Sequence, residues 1–306
     1  MNAVSQANQV ATQVETQVAA QSAVVCARPQ KRHAIKSALK SAIAQVSKVL
    51  PDSIFGPAYD LSFAAYRKGL RALYSRHIFA ARLGGKEKDL RRAQTVKRVM
   101  PFSLVGSSGL ESTFDVAENT VAMHVAGAFV ECGVARGGCS ALLAMVADNE
   151  NQGRKLWMFD SYQGLPDPTQ EDFADGADTT GSHVRPLPKG SCLGTRHEVE
   201  SMLFNKFKLN RNAIVLVEGW FQDTLPVRKN EIGPIAVLRI DGDWYESTRC
   251  VLLNLFDQVP SGGWIIVDDY GTCSGCQKAV DEFLVERHLQ PTLIPDGRGG
   301  IAFQKS

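Results

Sequence analysis

The stretch IAVLRIDGDWYESTRCVLLNLFDQVPSGGWIIVDDY (235–270) decides the fold. Two short runs, IAVLRID (235–241) and GWIIVDDY (263–270), flank a segment with helical spacing. Near-continuous Ile/Val runs suit strands buried on both faces of a parallel sheet. A helix between two such strands implies a right-handed βαβ crossover. The same texture recurs upstream in AFVECGVA (128–135), KLWMFDS (155–161) and AIVLVEGW (213–220). Downstream, PTLIP (291–295) and IAFQK (301–305) enclose the Gly-rich turn 296–300, which reads as an antiparallel hairpin. The expectation is an α/β fold: a doubly wound sheet of five parallel strands plus a terminal hairpin, with helices in front of it.

The chemistry follows from the strand ends, because open α/β sheets bind ligands beyond the carboxyl ends of their strands. Asp241-Gly242-Asp243 closes one strand and Asp268-Asp269 closes the next. Carboxylates converging at adjacent tips repel unless a cation neutralises them. Capping of the following helices needs one acid per tip, and two doublets exceed that need. Oxygen-only ligands favour a hard divalent ion, Mg2+ first, with Mn2+ as an alternative.

The first strand runs into Glu131-Cys132-Gly133-Val134-Ala135-Arg136-Gly137-Gly138. Such a turn lets the backbone approach a ligand, but it lacks the dinucleotide G-x-G-x-x-G spacing. An acid before the first glycine is a poor neighbour for a pyrophosphate and a good one for an ammonium. Asp160-Ser161 ends the second strand where a carboxylate receives ribose hydroxyls in nucleotide-binding folds. Glu131, Gly133 and Asp160 together favour an adenosine-type cofactor without a pyrophosphate. Gly219 and Trp220, with Phe221, end the third strand, where an aromatic pair can flank an adenine or simply pack in the core.

The remaining chain divides at 32 and at 100. Residues 1–32 read as a flexible or frayed helical tail, 33–100 as a basic helical region, and 101–306 as the sheet domain. Between Cys26 and Met100 there are 17 Lys/Arg against 4 Asp/Glu, hidden in a net charge of +2. This stretch suits contact with an anionic surface or, more plainly, solvated helix faces; nucleic acid is not expected, since no binding motif accompanies it. Seven scattered cysteines fit a reducing compartment rather than a disulfide framework, and Cys273-Ser-Gly-Cys276 reads as small residues at a helix start. No apolar run spans a membrane and no secretory signal opens the chain, so a cytoplasmic location is expected. Apolar positions on the N-terminal helices suggest a homo-oligomer.

With these residues in view, LRIDGDWYESTRCVLLNLFDQVPSGGWIIVDDYGTCSGCQKAVDEF (238–283) strongly resembles the macrocin O-methyltransferase family. FVECGVARGG (129–138), FDSYQGLP (159–166) and VEGWFQDTLP (217–226) support the match. The resemblance implies the methyltransferase form of the doubly wound fold, S-adenosylmethionine as donor, magnesium, and a sugar hydroxyl on a glycosylated metabolite or glycan as acceptor. By motif, Asp241 is implied as metal ligand and general base, and Asp268 and Asp269 as the other ligands. Glu131, Gly133, Asp160 and Ser161, with Gly219, Trp220 and Asp241, are assigned to the donor. Tyr245 and Glu246 are assigned to the acceptor side, and His183 to the loop histidine of the family, although its surroundings do not match. SLVGSSGLESTFDVAEN (103–119) departs from the family wording, as does the long basic extension, so a macrolide acceptor is not implied. Three alternatives are a phenolic or catechol acceptor, a nicotinamide-dependent oxidoreductase, and a non-catalytic scaffold. The missing dinucleotide fingerprint counts against the oxidoreductase, and the intact acids against the scaffold.

Overall fold

The computed structural model describes residues 52–150, 152–173, 183 and 186–306, with side-chain surroundings from residue 68 onward. The expected tail at 1–32 and the basic segment up to residue 51 lie outside the described residues. Residues 64–306 form one compact unit. Among the described residues, no helix is long and apolar enough to cross a membrane.

Helix α1 (Asp52–Leu83) is followed by α2 (Glu87–Val99) and α3 (Ser107–Ala122). The sheet then alternates with helices: β1 (Ala128–Cys132), α4 (Gly138–Glu150), β2 (Leu156–Asp160), α5 (Arg196–Glu200), β3 (Ile214–Glu218), α6 (Phe221–Ile232), β4 (Ile235–Ile240), α7 (Tyr245–Leu255) and β5 (Trp264–Val267). Helix α8 (Ser274–Glu286), β6 (Ile294–Pro295) and β7 (Ile301–Gln304) complete it. The seven strands are ordered β3-β2-β1-β4-β5-β7-β6. The first five are parallel, and β7 runs antiparallel to both β5 and β6. This is the doubly wound sheet with its terminal hairpin. The order reverses between β1 and β4, which opens a crevice at their carboxyl ends.

Alternation along each strand divides the core. Leu156 and Met158 enter one apolar cluster, with Phe129 and Val237; Trp157 and Phe159 enter the other, with Val130, Leu238 and Ile240. The first cluster also takes Tyr74 of α1 and Ala93, Val96 and Val99 of α2. Part of the basic region is therefore core on one side. On the other side its cations meet acids of α3: Arg91 pairs with Glu118 and Arg92 with Asp115, both at 2.8 Å. Such partly exposed pairs contribute about 0.2–1 kcal/mol each.

The same period-2 rule builds the polar end of the first face. Glu131 on β1 is the register partner of Arg239 on β4, which is in turn the register partner of Ile266 on β5. Asp241 and Asp268 lie two residues beyond Arg239 and Ile266, so all four polar side chains share one face.

Candidate functional site

Glycine decides how closely the β1 and β4 tips approach. Gly133 has φ +95°, and a Cβ there would lie inside the contact distance of the Asp241 carbonyl. Its amide donates to the Phe159 carbonyl at 2.9 Å, joining the β1 and β2 tips. Three non-glycine residues beyond strand ends also hold left-handed backbone: Ala135 (φ 45°), Tyr162 (φ 55°) and Asp243 (φ 57°). Strained conformations of this kind persist where the surrounding structure over-determines them, and they cluster at functional sites.

Asp160 is tied to the turn it overlooks. Its Oδ2 accepts from the amides of Val134 (2.7 Å) and Ala135 (3.0 Å), and its Oδ1 from that of Tyr162 (2.6 Å). Burial pushes its carboxyl above the usual range, against the pull of those three amides. Ser161 Oγ accepts from the Gln163 amide at 3.1 Å, fixing the start of the next loop. Beyond these tips opens a cavity of about 440 Å³. Gly133, Ala135, Asp160, Ser161, Trp220 and Phe221 line it on the β1–β3 side; Asp241, Asp243, Glu246, Asp268, Asp269 and Arg298 line it on the β4–β5 side.

The acidic side is crowded, and two arginines meet part of the charge. Arg239 is wholly buried. Its Nη1 donates to Glu131 Oε1 (3.0 Å) and Asp241 Oδ2 (2.6 Å), and its Nη2 to Asp268 Oδ1 (2.7 Å). Arg298, on the β6–β7 turn, donates to Asp268 Oδ2 at 2.6 Å. That turn is held by Asp296, whose Oδ1 accepts from the amides of Arg298, Gly299 and Gly300. Gripped by both cations, Asp268 is held below the usual carboxylate range despite its burial.

Its neighbours receive less of this help: Asp241 bonds Arg239 through one oxygen. Burial and the facing acids push Asp243 up to about 8, and they raise Asp241 and Asp269 as well. Among the described residues, Asp269 Oδ2 is buried and has no hydrogen-bond partner. Buried polar atoms are normally satisfied, so a carboxylate oxygen left bare is one that a proton or a cation can satisfy. Ligand atoms of Asp241, Asp268 and Asp269 lie within 4.8 Å of one another. Among the described residues, Glu131, Asp241 and Asp268 bond Arg239 or Arg298, and Asp243 and Asp269 add further acid beside them. The residues present fit an oxygen-ligated divalent cation.

The other sequence-predicted residues fall in different places. Glu131 lies beneath the floor rather than on the wall: it is 1% exposed, bonded to Ser140 and Arg239, and its carboxyl is pushed up to about 7 chiefly by burial. It reaches the cavity through Arg239. Gly219 makes the turn after β3 at φ +138°, and the neighbouring Trp220 lines the cavity. Glu246 lines it too, whereas the Tyr245 hydroxyl is turned to Glu282 at 2.7 Å. His183 is placed against α8, with Nε2 2.9 Å from Gln277 Oε1, and is not among the lining residues. Cys273 and Cys276 are free and buried at the start of α8, as small residues there should be.

Two functional positions escaped the sequence reading. Arg239 did carry a signal, since a lone charge inside an otherwise apolar strand requires buried partners. Arg298 carried none, because a cation in a Gly-rich hairpin turn normally points to water.

A doubly wound sheet ordered in this way, with a glycine-turned cavity at its switch point and a β6–β7 hairpin closing one edge, defines an S-adenosylmethionine-dependent methyltransferase. The chain belongs to the macrocin-O-methyltransferase (TylF) family, whose profile matches residues 48–305, and it is an S-adenosylmethionine-dependent O-methyltransferase. It is 35% identical over 205 residues to demethyldecarbamoylnovobiocin O-methyltransferase of Streptomyces niveus, an alignment covering 67% of this chain and 76% of that one. It is 32% identical over 182 residues to the Streptomyces olivaceus 8-demethyl-8-(2,3-dimethoxy-alpha-L-rhamnosyl)-tetracenomycin-C 4'-O-methyltransferase, covering 59% and 67%. Among solved structures, the O-methyltransferase NovP superposes with a TM-score of 0.59 at 34% identity, covering 67% of this chain and 82% of that one.

Proposed function

We propose that this enzyme methylates a hydroxyl of a sugar unit on a glycosylated metabolite or glycan, with a divalent cation held by Asp241, Asp268 and Asp269. The observation that carries the cation is the orphaned Asp269 Oδ2 within a cluster of acids that outnumber their arginines. The sugar acceptor is supported by a relative whose name specifies methylation of a rhamnosyl-bearing tetracenomycin.

The chain's own groups divide the work along the cavity. Gly133, Asp160, Ser161 and Trp220 border the donor end, with Glu131 beneath the floor helping to hold Arg239 in place. Asp241, Glu246 and Asp269 border the acceptor end. A divalent ion held there would supply Lewis acidity and a fixed direction for an alcohol oxygen. Asp241 takes the hydroxyl proton: one of its oxygens is anchored by Arg239, which sets the direction of the carboxylate. S-adenosylmethionine, when bound, would supply the methyl group to the acceptor oxygen, its carbon–sulfur bond breaking to give S-adenosylhomocysteine. Holding both partners in line is the larger part of the catalysis.

The test is calorimetry and turnover on Asp269→Asn, with Mn2+ and S-adenosylmethionine titrated separately. The expected result is Mn2+ affinity weakened by at least the roughly 10- to 100-fold that loss of an outer-shell partner costs, turnover lost, and S-adenosylmethionine affinity little changed. Normal turnover in Asp269→Asn sinks the cation. A preference for catechols over glycosides in an acceptor screen sinks the sugar.

A further inference from the structure

The set Asp241, Asp268 and Asp269 leaves Asp243 without a task. Asp243 is held in left-handed backbone on the cavity wall, where its carboxylate adds to the repulsion around Asp269. Its Oδ1 lies 4.0 Å from Cys273 Sγ at the N-terminus of α8. Asp243, Asp269 and Cys273 form a second group whose ligand atoms lie within 4.8 Å of one another. Asp269, 6% exposed, belongs to both groups, and among the described residues its buried Oδ2 meets no donor.

The two groups differ in chemistry. One offers carboxylate oxygens alone, which suit hard ions; the other adds a sulfur, which suits softer ones. Tetrahedral Zn2+ has bonds of about 2.3 Å to sulfur and about 2.0–2.2 Å to oxygen. Such bonds place ligand atoms roughly 3.3–3.8 Å apart, so side-chain rotation of about 1 Å closes the group around an ion. A second thiol stands nearby: Cys192 lines the cavity, with Asp243, Asp241 and Asp269 as its foremost charged neighbours.

We propose that the active site contains a second, overlapping cation subsite, Asp243–Asp269–Cys273, that binds a thiophilic divalent ion such as Co2+, Zn2+ or Cd2+ through the Cys273 sulfur. On binding, the S–H bond breaks, its electron pair goes to the metal–sulfur bond, and the proton is released to solvent; nothing is oxidised or reduced. Because Asp269 serves both groups, a thiophilic ion displaces the hard ion and inhibits turnover. The proposal rests on the cation reading above only in sharing Asp269.

The experiment is Co2+ titration of the full-length, metal-free, reduced protein, followed by absorption. The wild type is expected to develop a near-ultraviolet thiolate-to-Co2+ charge-transfer band together with visible ligand-field bands. Cys273→Ser is expected to lose the charge-transfer band and bind Co2+ roughly 10- to 100-fold more weakly, while Cys192→Ser keeps the band. Serine is a favoured helix N-cap, so the Cys273→Ser chain should fold, and near-ultraviolet circular dichroism checks this. Co2+ bound to wild type without a thiolate band overturns the subsite, as does a band that survives Cys273→Ser. Mn2+ binding, followed by electron paramagnetic resonance, separates the two readings. Its absence from wild type removes the hard-ion site, while the cobalt band still decides this one.

Discussion

Replacing Arg239 by methionine would test whether the acid cluster is assembled around one buried cation. Methionine keeps much of the stem but removes three charge-assisted hydrogen bonds, at 3.0, 2.6 and 2.7 Å, to Glu131, Asp241 and Asp268. Breaking a fully buried ion pair by removing one partner costs about 3–5 kcal/mol, mostly as the desolvation penalty of the charge left behind. The three bonds do not add, because the stranded carboxylates can protonate. Glu131 does so most readily, with a carboxyl already pushed up to about 7. Losing Arg239 raises it further, so the variant keeps more stability while Glu131 is protonated and loses it as pH rises through that value. A total stability of about 5–15 kcal/mol leaves such a variant folded but weakened. At about 2–4 °C per kcal/mol for a unit of this size, the melting temperature should fall by roughly 6–20 °C. Urea melts at pH 6 and pH 8 provide the assay, with the larger loss expected at pH 8. The double variant Arg239→Met/Glu131→Gln, with one stranded charge removed, should recover about 1–3 kcal/mol of the loss at pH 8. A loss under about 1 kcal/mol, or no recovery in the double variant, would refute the reasoning.

Three further outcomes follow from the geometry. Gly133→Ala would set a Cβ against the Asp241 carbonyl at φ +95°, so the β1 and β4 tips must part; a loss of about 1–3 kcal/mol and weaker S-adenosylmethionine binding are expected, measurable by melting and calorimetry. Without a cation, stability should fall as pH rises from about 5 to 8, because Glu131 (about 7) and Asp243 (about 8) are raised above their unfolded values and lose stabilising protons in that window. Mn2+ should flatten this dependence in thermal melts, and a cation-free chain that gains stability over the range would contradict the surplus of acid. Tyr245→Phe removes a bond to the partly exposed Glu282 outside the cavity, so acceptor KM should be unchanged and stability should move by no more than about 1 kcal/mol; a large rise in KM would restore Tyr245 to the acceptor side.

The apolar runs and their order were readable because strands buried on both faces show directly as Ile/Val-rich segments, and β1, β2, β4 and β5 lie where those runs lie. The hairpin was readable from its glycines, although β6 shrinks to Ile294–Pro295 beside the full strand β7. The acids at the tips were visible for a related reason: a doublet after an apolar run exceeds the one acid that local capping uses, so it advertises a tertiary role. Tyr245 and His183 were assigned by motif rather than by direction. Which way a side chain points depends on neighbours such as Glu282 and Gln277, more than thirty residues away along the chain.

By itself, then, the sequence determined the α/β order, the carboxyl-end site and the concentration of Asp241, Asp243, Asp268 and Asp269, because each is written in local pattern and spacing. Only the tertiary structure decided how that charge is shared. Register places Glu131 beside Arg239, the hairpin returns Arg298 to Asp268 from thirty residues further on, and Asp269 keeps a bare oxygen. Electrostatic balance is a sum over all charges within a few ångströms in a low-dielectric interior, and that set of neighbours exists only once the chain has folded.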